Sequence, residues 1–221
     1  MPQRYGLRNS VSSINLFVLL KKPTTLSCSN PSGRRRIGCM TEAQEIHHLI
    51  SRKGRLLRGV LGIAARCPAG HAAVITCSPL QRQRGRLVPF PTLYWLVCPR
   101  LCRTLANLER SGVIKQLEAE IAGDATFFAA ISKDHDDYIA RRWAALSREE
   151  RDLVERESLM EKMRSRGIGG IMNHATVKCL HTHFAHHLAC GSTIGRWIAT
   201  RHLVTPCPAA ANTHADLESH L

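Results

Sequence analysis

The sequence has no apolar run long enough to cross a bilayer. The longest early candidate, Ile14-Asn-Leu-Phe-Val-Leu-Leu20, falls far short of the roughly 20 residues a span requires. It is preceded by two arginines and ends in Lys21-Lys22 with no small-residue cleavage site, so it does not read as a secretory signal. Internal repeats are missing, which excludes solenoids and arrays. The nine cysteines are an odd number and are not spaced as a secreted disulfide framework. No named nucleic-acid motif occurs. The first 39 residues carry no acid at all, against seven basic residues. These absences point to a protein of the cytoplasm, where thiols stay reduced or bind metal.

What is present is a basic, moderately apolar chain of 221 residues with net charge +14 and 44% hydrophobic residues. That apolar share suffices for a core. A charge of this size usually meets phosphate or another acidic surface. The excess sits in the first half: residues 40–111 have net +8, and residues 112–166 have net −2. Residues 1–39, rich in Ser, Arg and Pro, read as a disordered basic leader. It is either an organelle transit peptide or an overlong start, with Met40 the true first residue. Residues 40–204 read as one domain, and 205–221 as a loose tail.

The period of the apolar residues changes along the chain. Thr41 caps a first helix that ends near Gly54. Val60–Ala65, Ala72–Cys77 and Leu93–Cys98 read as three strands, and the basic, glycine-bearing Gln81–Arg86 as a loop. After Pro99 helical spacing takes over. One helix stops at Ser111-Gly112, the next at Gly123, and a third begins at Asp124. Ser147 with Glu150 forms a capping box for a charged helix that runs to Gly167-Ile-Gly-Gly170, read as a hinge or turn. The last long helix covers roughly 175–190, with another turn or two around Trp197 and Ile198. The expected fold is α+β, a small antiparallel sheet followed by four to six helices.

The densest chemistry lies in Val177-Lys-Cys-Leu-His-Thr-His-Phe-Ala-His-His-Leu-Ala-Cys-Gly191. At roughly 100° per residue, Cys179, His183, His186 and Cys190 share one stripe, while His181 joins Val177, Leu180, Phe184 and Leu188. Ligands one turn apart on a helix make half of a metal site. Two upstream cysteines can complete it. Cys67-Pro-Ala-Gly is a tight turn like half a zinc knuckle, without the second cysteine. Cys98 sits where a strand passes into a helix, which favours the thiolate. The candidate set is therefore Cys67, Cys98 and Cys179 with one of His181, His183 or His186. It suits zinc, and less well an iron–sulfur cluster, which prefers cysteine throughout.

Two other functions fit the residues. The arginines of the first half, with Arg82, Arg84 and Arg86 foremost, can bind RNA or another polyanion, or dock a protein partner without catalysis. Alternatively, Cys98 or Cys179 with a helix histidine can serve as a nucleophilic pair. Oligomeric state is not written in the sequence.

Several segments together carry a resemblance. They are Arg66-Cys-Pro-Ala-Gly70, Pro89-Phe-Pro-Thr-Leu-Tyr-Trp-Leu-Val-Cys-Pro99, Leu108-Glu-Arg-Ser-Gly112, Arg166-Gly-Ile-Gly-Gly170 and Val177-Lys-Cys-Leu-His181 with His186. In order and spacing, residues 55–195 resemble the bacterial family catalogued as domain of unknown function 501. The resemblance implies Met40 as the start and a bacterial cytoplasm. It implies that Cys67, Cys98, Cys179 and His181 belong to recurrent motifs, and it brings no reaction or substrate. The chain departs from the family pattern at Gly191-Ser-Thr-Ile-Gly195, where the family tends to read Gly-x-Asn-Pro-x-Gly.

Overall fold

The computed structural model describes residues 41–53 and 59–208. The leader, Gly54, Arg55, Arg58, Cys28, Cys39, His214 and His220 lie outside them, as do the side chains of Arg52 and Lys53.

Helix α1, Glu42–Lys53, starts from a reciprocal cap: the Gln44 N–H donates to Thr41 Oγ1 and the Thr41 N–H donates to Gln44 Oε1. Its acids face the sheet. Glu42 accepts the Ile63 N–H, and Glu45 accepts both the Ala72 N–H and the Arg66 guanidinium. The sheet has the order β1-β2-β5, all antiparallel, with β1 at Val60–Arg66, β2 at Ala72–Cys77 and β5 at Tyr94–Leu96. Central strand β2 is a nearly unbroken apolar run because both of its faces are covered. Ile75, Cys77 and Val97 pack beside Leu49 and Ile50 of α1. Val74, Tyr94 and Leu96 belong to the main core with the later helices.

Gln81–Arg86 is not the expected loop. It is most of a β-hairpin, β3 at Leu80–Gln83 and β4 at Arg86–Pro89, in register from Leu80↔Pro89 to Gln83↔Arg86. Arg84 and Gly85 turn the chain with φ of 51° and 80°. Strand periodicity was hidden because polar residues fill both of its faces at the tip.

The helices follow as α2 (Pro99–Arg110), α3 (Val113–Gly123) and α4 (Ala125–Ala144). Then come α5 (Arg148–Arg156), α6 (Met160–Arg164), α7 (Leu180–Cys190) and α8 (Thr193–Arg201). Asp124 caps α4 through the Thr126 and Phe127 N–H groups, and the Ser147–Glu150 box caps α5. The charged helix expected to run on to Gly167 breaks at Ser158, whose φ is 53°, and α6 is a separate short piece. Residues Ile168–Gly170 form a packed 3-10 turn. A Cβ on Gly167 would lie 2.2 Å from His135 Nδ1, so only glycine lets the Ile168 N–H reach that nitrogen. The last long helix begins five residues later than expected, at Leu180. Residues 175–179 approach it in extended or turn conformations.

Helix α7 is the hub of the main core. It packs on β5 and β2, on α2 and on α8. Two side chains of α4 lock that arrangement. Tyr138 Oη accepts the N–H groups of Leu93, at 2.7 Å, and Tyr94, at 3.4 Å. The buried Arg142 guanidinium donates to the carbonyls of Pro91, Met163 and Arg166. Among the described residues no helix is long and apolar enough to cross a membrane.

Candidate functional site

Cys179 stands at the N-cap of α7, extended, with φ −159° and ψ 147°, and its side chain makes no cap hydrogen bond to the helix. The open N–H groups of a helix start must be met from elsewhere. Glu109, in the last turn of α2, does this: its Oε1 accepts the Leu180 N–H at 2.6 Å. The same oxygen accepts from His181 Nδ1 at 3.0 Å. His181 Nε2 lies 3.0 Å from the Cys102 carbonyl oxygen. The Cys179 sulfur is 3.0 Å from Thr182 Oγ1. Cys179, His181 and Glu109 each offer one ligand atom, and the three atoms lie within 4.8 Å of one another. Among the described residues this is the one trio of Cys, His, Asp and Glu so arranged. It is half-open to solvent, with side-chain exposures of 29% for His181 and 24% for Glu109.

The electrostatics follow from the geometry. Both neighbours of the His181 ring are acceptors, so the ring donates from both nitrogens and is an imidazolium when no metal is present. Its pKa is raised to about 9, first by the Cys179 sulfur beside it and then by Glu109 and the Cys102 carbonyl, against the opposing effect of burial. Burial alone would raise the Cys179 thiol. The neighbouring His181 and the Thr182 hydroxyl and amide outweigh it, and the thiol is held below its usual value. The other described cysteines with resolved shifts go the opposite way: burial pushes Cys77 and Cys98 up to about 12.

The remaining candidates are held elsewhere. Cys67 closes the β1–β2 turn, where its carbonyl accepts the Gly70 N–H, and its sulfur is 3.9 Å from His71 Nδ1. Cys98 is buried at the start of α2, with its sulfur 3.7 Å from that of Cys207. Cys207, expected in a loose tail, is 1% exposed. The four-ligand set of Cys67, Cys98, Cys179 and a histidine is thus not brought to one point. Cys67 is held back by its hairpin turn and Cys98 by the core against which α2 starts.

His183 and His186 are core residues, 2% and 0% exposed. The His183 ring meets that of His135 edge-on at 5.8 Å. His186 stacks on Tyr94 at 6.0 Å and meets Tyr138 edge-on at 5.1 Å. Burial lowers their pKa values to about 3 and about 4, and that of His135 to about 3. Four ring nitrogens of these residues, His135 Nε2, His183 Nε2 and both of His186, are buried without a protein hydrogen-bond partner among the described residues. His135 Nδ1 accepts the Ile168 N–H, so a neutral ring carries its proton on Nε2 and offers no lone pair there. Of the three candidate histidines it is His181 that joins Cys179.

The residue that sequence reasoning missed is Glu109. One signal was available. A carboxylate in the last turn of a helix opposes the dipole, and here it sits in a segment almost devoid of acids. Such a residue needs another partner, and the start of α7 supplies it.

The architecture and the site define an α+β protein with a Cys/His/Glu cluster where α2 meets α7. Residues 63–200 match the family described as protein of unknown function (DUF501), and the chain belongs to that family. No curated protein and no solved structure matches it.

Proposed function

We propose that the protein binds one transition-metal ion, zinc by its ligand chemistry, through Cys179, His181 and Glu109. The carrying observation is the approach of these three ligand atoms to within 4.8 Å. Around zinc such atoms stand roughly 3–4 Å apart, so a small inward shift closes the set. The Cys102 carbonyl fits the second shell, because a ligating histidine generally donates its other ring N–H to a carbonyl or carboxylate. A single sulfur does not suit an iron–sulfur cluster, which takes thiolates at nearly every position. Three protein ligands leave a fourth position for water or substrate, the pattern of catalytic rather than structural zinc. A thiolate ligand at Cys179 suits a reducing compartment such as a bacterial cytoplasm.

Metal analysis of the purified full chain tests this, together with cobalt substitution. Stoichiometric metal should be present, and the sulfur-to-cobalt charge-transfer band should vanish in Cys179→Ala. A folded protein that takes up neither zinc nor cobalt refutes the site.

A second reading rests on the lowered Cys179 and raised His181 pKa values. Metal-free, the pair is a thiolate–imidazolium at a helix start, the form a cysteine nucleophile takes. It requires Cys179 in chelator-treated protein to react with an electrophile near neutral pH much faster than every other cysteine.

A further inference from the structure

We propose that the β3–β4 hairpin is a nucleic-acid-binding ribbon. Gln83, Arg84 and Arg86 on one of its faces would enter the major groove of duplex DNA. This rests on features separate from the Cys179 site.

Between Glu45 and Glu109 the sequence contains no Asp or Glu. The arginines of that segment whose side chains are described are two held by partners, three on the hairpin, and Arg103 alone on α2. Arg66 is spent on Glu45, and Arg100 on the carbonyls of Thr205 and Pro206. Arg82, Arg84 and Arg86 are exposed and have no hydrogen bond or ion pair among the described residues. Uncompensated guanidiniums concentrated on one projection favour a polyanion.

The register sorts them. Gln83 stands opposite Arg86, and Gln81 opposite Val88, on one face, while Arg82 stands opposite Leu87 on the other. Gln83, Arg84, Arg86 and Val88 line an open groove of about 580 Å³. Arg84 and Arg86 therefore act together, and Arg82 acts apart from them.

The shape selects among polyanions. The hairpin tip presents no large exposed apolar side chain, so it has nothing to insert in a lipid surface. A two-stranded ribbon fits the major groove of B-form DNA, about 12 Å wide, whereas the major groove of A-form RNA is too deep and narrow. Arginine forks match phosphate and the O6/N7 edge of guanine, and a glutamine amide matches adenine. The groove face supplies both side-chain types.

The test uses the full chain and a short fluorescein-labelled DNA duplex, followed by anisotropy over a salt series. Wild type should bind at low salt. Arg84→Ala/Arg86→Ala should weaken binding and reduce the log–log salt slope by about one per arginine removed. Arg82→Ala should change affinity less than either groove substitution. Arg103→Ala removes the same charge from an exposed site on α2 and should leave the slope near that of wild type. Circular dichroism confirms that each variant is folded. No binding at low salt overturns the proposal. So does an Arg103→Ala effect equal to that of Arg84→Ala, which would mean diffuse attraction by net charge. Tighter binding to single-stranded RNA, acidic peptide or anionic vesicles than to the duplex overturns the choice of partner.

Discussion

Glu109 and His181, 72 positions apart in sequence, face each other with Oε1 and Nδ1 3.0 Å apart, and the same oxygen caps α7 at Leu180. One carboxylate thereby fixes the start of a core helix and the charge of the imidazole beside Cys179. Glu109→Gln keeps a hydrogen-bond acceptor and removes the charge, so the His181 pKa should fall from about 9 toward its usual range. Glu109→Ala also removes the cap and should cost about 1 kcal/mol, within the usual spread of cap losses. NMR titration of the His181 ring and urea unfolding measure the two effects. An unmoved His181 titration in Glu109→Gln would show that the contact does not govern the ring.

Metal uptake should release protons. His181 is protonated below about 9, and a ligating nitrogen must be bare. Zinc affinity should therefore rise with pH between 6 and 9. Calorimetry in buffers of different ionisation enthalpy should show release of about one proton near pH 7. Uptake with no proton release would remove His181 from the ligand set.

Thiol reactivity should separate the cysteines in metal-free protein. Cys179 should be alkylated first near neutral pH, and Cys77 and Cys98, pushed up to about 12 by burial, last. Peptide mapping after a brief iodoacetamide pulse gives the order. Replacing His181 with Ala should slow Cys179 by about tenfold or more, since its thiolate loses the neighbouring cation.

Stability should decline on both sides of neutrality, for two different reasons. His135, His183 and His186 have folded pKa values of about 3 to 4, below the 6.5 of an exposed histidine. Below pH 6.5 the unfolded chain binds more protons than the native one, so stability is lost as pH falls toward 4. The loss is on the order of 1–2 kcal/mol per buried imidazole by pH 5. His181 has the opposite sign. Its contribution is complete below about 6.5 and disappears as pH rises through about 9. Urea midpoints from pH 4.5 to 9.5 report both limbs. A midpoint constant between pH 7 and 5 would mean that the three rings titrate freely.

Tyr138→Phe changes one oxygen. It leaves the buried N–H groups of Leu93 and Tyr94 without their acceptor, and should cost about 1–3 kcal/mol with little change in native packing. Thermal and urea unfolding measure it, and a neutral result would mean that β5 rearranges to find other acceptors.

Local signals in the sequence carried well into the structure. Helical spacing and caps located α2 to α5 because Asp124, Ser147 and Glu150 act on their own neighbours in the chain. β2 was legible as a doubly covered apolar run. The hairpin at Arg82–Arg86 escaped, since polar residues on both faces leave no alternation to read. At the site, Cys179 and His181 were both legible as candidates, but a helix drawn from 175 put them on different faces, and they meet because Cys179 precedes the first turn. Glu109 and Cys102 were not legible, because both reach the site only through the crossing of α2 on α7. His183 and His186 looked like ligands on a helical projection. That projection ignores α4, whose His135 and Tyr138 enclose them.

The tethering of α7 also bears on how the chain acquires its fold. The helix has no cap of its own. Its first N–H is met by Glu109, Val177 is held by Glu118 of α3, and Asp134 of α4 holds the Thr193 N–H at the start of α8. These helix starts are completed only after α2, α3 and α4 are in place. During synthesis, β5 leaves the ribosome roughly 80 residues ahead of α7, a delay of about 4–16 s at common elongation rates. Over that interval Val74 and Leu96 lack the α7 side chains that complete their core. The core face of the sheet therefore stays partly open until α7 emerges, and truncation just before Leu180 should produce a species that chaperones hold.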